Sequence, residues 1–155
     1  MSIAPTLRLF LDQNVTYEVV THDPTMSSMR TAEAAHISGD CVAKGVVLRH
    51  NGGYLLAVLP ASHRIRLADL QARLGDDVAL APESEIDQLF RDCVHGAVPP
   101  VGECYGLDVI VDDSIDARPD VYMEGGDHQT LIHMSHAQFA CLMADAPHAQ
   151  FSVHA

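Results

Sequence analysis

Lys44 is the single lysine among nine basic residues. It sits inside an otherwise apolar stretch, Val42 to His50, between Ala43 and Gly45. Small neighbours leave room for a ligand beside an ammonium. The competing account is a lysine on the solvent face of a strand, against which Val42 and Val46 on the same side argue; a coding bias toward arginine would equally leave one lysine. A second feature is Gly96-Ala97-Val98-Pro99-Pro100. Its prolines stiffen the chain, and its glycine exposes backbone N–H groups of the kind that stabilise a carbonyl or a developing oxyanion. The same residues also make a plain structural turn. Gly125-Gly126 permits close approach of a ligand or of another segment.

Self-sufficient catalytic motifs are absent: there is no G-x-S-x-G, no phosphate-binding P-loop and no H-E-x-x-H. Neither glycine cluster opens a helix after a strand, so neither is a dinucleotide fingerprint. Cys41, Cys93, Cys104 and Cys141 form no C-x-x-C pair and read as small buried hydrophobes. Cys93 is better placed to anchor a loop than to act as a nucleophile. His128, His133 and His136 lie close in sequence, but if Thr130 to Met134 is a strand, His133 and His136 are not held on one face. No metal and no cofactor is expected.

The elements that must position these residues follow from periodicity. Pro5 to Asn14 is a helix with Leu7, Phe10 and Leu11 on one face and proline in its first turn. Thr16 to Thr21 is strand-like, and His22 to Met29 is a loop. Thr31 is placed to cap a short helix. Val42 to His50 and Tyr54 to Pro60 are strands joined by the Asn51-Gly52-Gly53 turn. Arg66 to Leu74 is helical, Val78 to Leu80 a short strand, and a helix opens near Pro82. Arg91 to Gly106 is an irregular structured loop. Leu107 to Val111, Val121 to Glu124 and Gln129 to Met134 are strands, Ser135 caps a last helix, and a mobile tail is expected after Pro147. Strict alternation of strand and helix is missing. The fold expected is therefore mixed α/β, of the α+β kind: a curled or barrel-like mixed sheet of about six or seven strands with helices packed outside. Val42 to His50 and Leu107 to Val111, apolar at nearly every position, should be inner strands.

The 155 residues suit a single domain, 1–155, with a core that needs no disulfide or metal. No apolar run approaches the roughly 20 residues of a membrane span, and the first residues lack the features of a secretory signal, so a cytoplasmic protein is expected. The net charge is −12. Fourteen acids against two arginines fall between Asp76 and Asp127, which accounts for all of it; the remainder is neutral. Such a surface repels phosphate backbones, so contact with a nucleic acid must be local. Neither DNA nor a membrane is an expected partner, and the sequence does not fix the oligomeric state.

Taken in order, the strand ending at His22, the Ser/Thr loop, T-A-E-A-A, V-A-K-G-V-V-L, Y-L-L-A-V-L-P-A, G-A-V-P-P, a strand running into V-D-D-S, and E-G-G-D-H resemble the YbaK/EbsC family. This is the prolyl-tRNA synthetase editing-domain superfamily, and the resemblance runs from about Tyr17 to Met143. It implies hydrolysis of the ester of mischarged aminoacyl-tRNA in trans, with the acceptor end of aminoacyl-tRNA as partner. It implies a catalytic-site lysine at Lys44 and, at Gly96, Ala97, Pro99 and Pro100, a loop that holds the aminoacyl carbonyl and the terminal adenosine. It further places Tyr17, Ser27, Ser28, Gly126 and Asp127 around the pocket. The chain departs from the alanine-specific pattern in carrying Gly45, not asparagine, after Lys44, which bears on the amino acid removed.

The implied chemistry is physically economical. An aminoacyl ester is already activated, so positioning a water and stabilising the oxyanion can suffice, and the ribose hydroxyl beside the ester can help deliver the water. Lys44 would hold the terminal phosphate or an ester oxygen as a compact cation. The lysine is expected to point into the largest pocket and face the Gly96 to Pro100 loop. The alternatives are a non-catalytic aminoacyl- or nucleotide-binding regulatory module of the same fold, and a small-molecule esterase or amidase.

Overall fold

The computed structural model describes residues 2–155. Ten strands run in chain order as β1 (Glu18–Thr21), β2 (Val42–His50), β3 (Gly53–Pro60), β4 (His63–Ile65), β5 (Ala79–Leu80), β6 (Asp108–Asp112), β7 (Asp120–Glu124), β8 (Thr130–Ser135), β9 (His148–Ala149) and β10 (Ser152–His154). The helices are α1 (Pro5–Asn14), α2 (Ser28–Ala34), α3 (Leu67–Leu74), α4 (Glu83–Leu89), α5 (Asp113–Asp116) and α6 (His136–Leu142).

Eight strands form one mixed sheet in the order β1-β8-β7-β2-β3-β6-β9, with β5 also beside β2; β4 and β10 pair separately. The β2–β3 hairpin is antiparallel and unbroken from Ala43↔Pro60 to His50↔Gly53. β7 joins β2, and β6 joins β3, in parallel. The expected α+β architecture is therefore present, and both strands expected to be central have neighbours on each side.

Period-two alternation divides the apolar residues of β2 between two cores. Ala43 and Val47 face one, with Leu7 and Leu11 of α1, Met123, Ile132 and Phe139. Leu48 faces the other, with Leu59, Leu70 of α3, Val78 and Ile110. Leu7, Leu11, Leu48, Leu59 and Leu70 are fully buried, each worth about 1.5–3 kcal/mol of transfer free energy.

Several boundaries differ from expectation, each for a local reason. Thr31 does not open α2. Ser27 does, its hydroxyl accepting from Arg30 N–H at 3.2 Å, while buried Thr31 bonds Thr25 Oγ1 at 2.6 Å. Pro82 stands one position before α4 rather than within it. Of the cysteines expected to be buried, Cys41, Cys93 and Cys104 are half-buried and Cys141 is exposed. The chain after Pro147 is not a free tail. Phe151 is 1% exposed, its N–H donates to Asp112 Oδ1 at 2.8 Å, and its carbonyl accepts from Arg66 N–H at 2.7 Å. This strap supplies β9, the strand that raises the expected count to eight. A buried aspartate far away in sequence fixes it, and no local pattern could announce that.

Candidate functional site

Two short neighbours share one edge of β2. β7 pairs with Val42 and Ala43, and β5 pairs with Leu48 and Arg49. Lys44, Gly45 and Val46 have no strand beside them on this edge. Ala61 N–H reaches Val42 O on the β3 side, and Ala81 N–H reaches Val47 O on the other. Odd-numbered residues of β2 therefore turn their peptide groups toward the gap. Gly45 N–H and C=O face it without a protein partner among the described residues. A sheet that parts in this way exposes backbone donors and acceptors at a fixed place.

Lys44 stands on one face of the sheet at this gap, half-buried. Its Nζ donates to Ala61 O at 3.3 Å. Burial lowers its pKa, and no carboxylate among the described residues acts on it. An ammonium with one long hydrogen bond and no counter-ion keeps donor capacity for an anionic or carbonyl oxygen. The opposite face, at Gly45, carries the Pro99-Pro100 turn: a β-carbon on Gly45 would lie 3.3 Å from Pro100 Cα and 3.4 Å from Pro99 O.

Three loops converge near the gap and are tied together. Val94 N–H donates to Gly126 O at 2.8 Å, His128 Nε2 donates to His95 O at 2.7 Å, and Thr25 N–H donates to His128 O at 3.2 Å. His128 is the hub, buried and in the left-handed region at φ 63°. Gly96 is also left-handed, at φ 80°, with the His128 ring 3.5 Å from where its β-carbon would be. Ala97 N–H is engaged by Val94 O at 2.9 Å, whereas Gly96 and Val98 N–H have no partner among the described residues. The loop's available donors are thus those two amides.

The remaining residues that the family resemblance implied separate into two groups. Ser27 and Ser28 sit at the start of α2, beside Thr25 and the loop cluster. Gly126 belongs to the cluster, held at φ 110° with Ala4 and Cys93 Sγ pressed against it. Asp127 is also there, but its carboxylate is occupied. Burial opposes ionisation, yet bonds from Gln129 N–H, Thr130 N–H and Thr130 Oγ1 outweigh it and hold its pKa below the usual range. Tyr17 is not brought in. It precedes β1, three strand places from β2, and donates to Asp12 Oδ1 at 2.5 Å beside α1. Its end of β1 pairs toward His133, away from Thr130 and the loops.

Two expectations about Lys44 are also corrected. β2 is regular, so Lys44 and Gly45 point to opposite faces, and Pro99-Pro100 lies on the Gly45 face. The larger of two well-formed cavities, about 460 Å³, is lined by residues around β6 and the end of α6 and includes neither Lys44 nor Gly96 to Pro100. The smaller cleft beside Ala61, about 300 Å³, lies next to the lysine's hydrogen-bond acceptor.

Sequence reasoning missed His128 as the organising residue, and Thr25 beside it. The signal available was only a histidine after Gly-Gly-Asp, a place where left-handed backbone is common. His22 was passed over too: its Nδ1 donates to Asp23 O at 2.6 Å, which leaves a buried Nε2 lone pair with no partner among the described residues. Burial pushes the Cys93 thiol up to about 12, which disfavours the thiolate that a nucleophile needs. It lies 3.5 Å from Tyr105 OH, in a packed anchor.

The profile of the aminoacyl-tRNA editing domain matches residues 22–142. The chain belongs to this family. Solved structures share the fold. A candidate trans-editing enzyme for prolyl-tRNA synthetase superposes with a TM-score of 0.82 at 22% identity over 98% of this chain and 99% of that one. A scaffold used in computational epitope grafting gives 0.84 at 21% identity over 97% of both chains. A candidate signal-transduction protein from Marinobacter aquaeolei gives 0.76 at 21% identity over 96% of this chain and 30% of that one. No curated protein matches this chain. Among the described residues, no helix is long and apolar enough to cross a membrane.

Proposed function

We propose that this editing domain acts in trans as an aminoacyl-tRNA deacylase, hydrolysing the ester of a mischarged acceptor end at the gap along β2. The carrying observation is Lys44: a half-buried ammonium without a counter-ion, placed where the sheet parts beside a glycine loop with two unengaged amides. In hydrolysis a water adds to the ester carbonyl, its proton leaves, and the tetrahedral oxyanion collapses to release the free amino acid and the ribose hydroxyl. Gly96 and Val98 N–H supply the kind of fixed dipoles that lower such a barrier. Lys44, on the other face of β2, holds the terminal phosphate. The two features grip different parts of one substrate threaded past Gly45, and no side-chain nucleophile is required.

A panel of charged tRNAs tests this. Release of free amino acid from a subset of the panel, lost in a folded Lys44→Ala protein, is the expected result. Binding without turnover would favour a regulatory module, and equal hydrolysis of simple esters would favour a general esterase.

A further inference from the structure

We propose that the open edge of β6 is a docking site for an extended, basic peptide segment of a partner protein, which adds to the sheet as a strand beside Val109. β9 covers only Val111 and Asp112 of this edge. Val111 N–H donates to Pro147 O on that side, so alternation turns the Val109 N–H and C=O outward as well. Neither has a partner among the described residues. The strap that forms β9 already shows that this edge accepts an extended segment in parallel.

The cavity of about 460 Å³ lies along the uncovered half of the edge and reaches around both faces of the sheet. On one face its lining is Leu55, Leu74 and Ile110, part of the α3-side core. On the other it is Phe10, Val109 and Leu142, part of the α1-side core. A globular ligand would fill one side. A strand sends successive side chains to opposite faces, so it alone can place apolar groups on both while its backbone bonds Val109.

Charge selects the occupant. Glu103 and Asp108, both exposed, stand at one end of the groove, and Asp145, also exposed, at the other. Among the described residues no lysine or arginine lines the groove, and His50 faces Asp77 at 3.5 Å. An apolar centre between acidic ends fits a segment with branched apolar residues in the middle and lysine or arginine at both ends. Asp108 on the edge also discourages pairing with a second copy, because like charges would meet.

A synthetic peptide of about eight residues, a strand's length with its ends, carrying lysine or arginine at its termini and valine or isoleucine between, is the probe. With the full chain, amide exchange read by NMR should slow at Val109 when the peptide is added. Affinity should fall tenfold or more for Asp108→Lys, for a peptide with glutamate ends, and for one N-methylated at alternate residues. Deacylation should be unchanged by Asp108→Lys. Unaltered exchange at Val109, equal binding by the glutamate-ended peptide, or protection of Val109 by self-association of the chain alone would each overturn the proposal.

Discussion

Pro100 packs directly on the bare α-carbon of Gly45: a β-carbon there would stand 3.3 Å from Pro100 Cα and 2.9 Å from Leu56 Cδ1. The glycine after the lysine is therefore a packing requirement of the loop that follows it across the sheet. Gly45→Asn should displace Pro99-Pro100 and cost about 1–3 kcal/mol, the scale of overpacking. Urea unfolding measures the cost, and the charged-tRNA panel reads the accompanying change in amino-acid preference. Unchanged stability and preference would show that the loop can yield.

Lys44→Ala should keep the fold and lose deacylation about a hundredfold, the scale of one preorganised electrostatic contact. The alkaline limb of the rate profile should fall below the usual lysine range near 10.4, because burial lowers the Lys44 pKa and the neutral amine no longer holds an anion. The stability sign is opposite. Between the folded and unfolded pKa values of Lys44 the unfolded chain binds more protons, so stability rises with pH across that window. Lys44→Met should abolish this rise in a pH series of unfolding curves. A wild-type rate in the folded Lys44→Ala protein would remove the lysine from the mechanism.

What the sequence revealed and what it hid have separate physical causes. α1 was legible to the residue, because Pro5 and the Leu7, Phe10, Leu11 spacing are local signals. The β2–β3 hairpin was legible for the same reason. The gap beside Gly45 was not, since it depends on how far β7 and β5 run along β2, which is a matter of three-dimensional register. Lys44 stood out by its singularity, but its face relative to the proline loop required the strand's alternation to be seen against a fixed neighbour. Tyr17 lay close in sequence to the loop cluster and far from it in the sheet.

Gly96→Val should damage activity through the backbone. At φ 80° a β-branched residue is strained by roughly 1–3 kcal/mol, and its side chain would press on the His128 ring. The Gly96 and Val98 amides would then lose their aim. Cys93→Ser should be mild, as the thiol serves packing beside Tyr105. Comparing kcat/KM for the two variants checks the contrast, and a dead but folded Cys93→Ser protein would reinstate a thiol mechanism.

Asp112 holds the C-terminal strap. It accepts from Phe151 N–H at 2.8 Å and from Ser114 N–H at 3.1 Å while 1% exposed. Asp112→Ala strands a buried donor and should cost about 1–3 kcal/mol, with faster amide exchange across β9 and β10. Little change in either measurement would mean that Phe151 burial alone secures the strap.

An acidic chain must meet tRNA through a local contact. The net −12 arises wholly between Asp76 and Asp127, so that segment cannot follow a phosphate backbone. Of the arginines outside it, Arg49 is engaged by Glu85 and Arg66 by Asp69 at 3.3 Å, while Arg30 lies 3.8 Å from Glu33. Arg64 on β4 and Arg30 at α2 are exposed. Arg8, Arg64 and Arg73 are exposed and, like half-buried Lys44, have no ion-pair partner among the described residues, so four cations outside the acidic segment are free. Contact with roughly two to four phosphates is expected, with a shallow dependence of log rate on log salt, about −0.7 per phosphate for single-stranded ends. A short charged acceptor-stem mimic should be cleaved nearly as well as whole tRNA, and discrimination should rest on pocket shape, worth about 1–3 kcal/mol for small apolar differences. Rates of kcat/KM over a salt series, on mimic and whole tRNA in parallel, decide the matter. A slope equivalent to roughly six or more phosphates, or a mimic that is not cleaved, would mean that the chain grips the tRNA body through the arginines outside the acidic segment, with Arg49 and Arg66 released from Glu85 and Asp69.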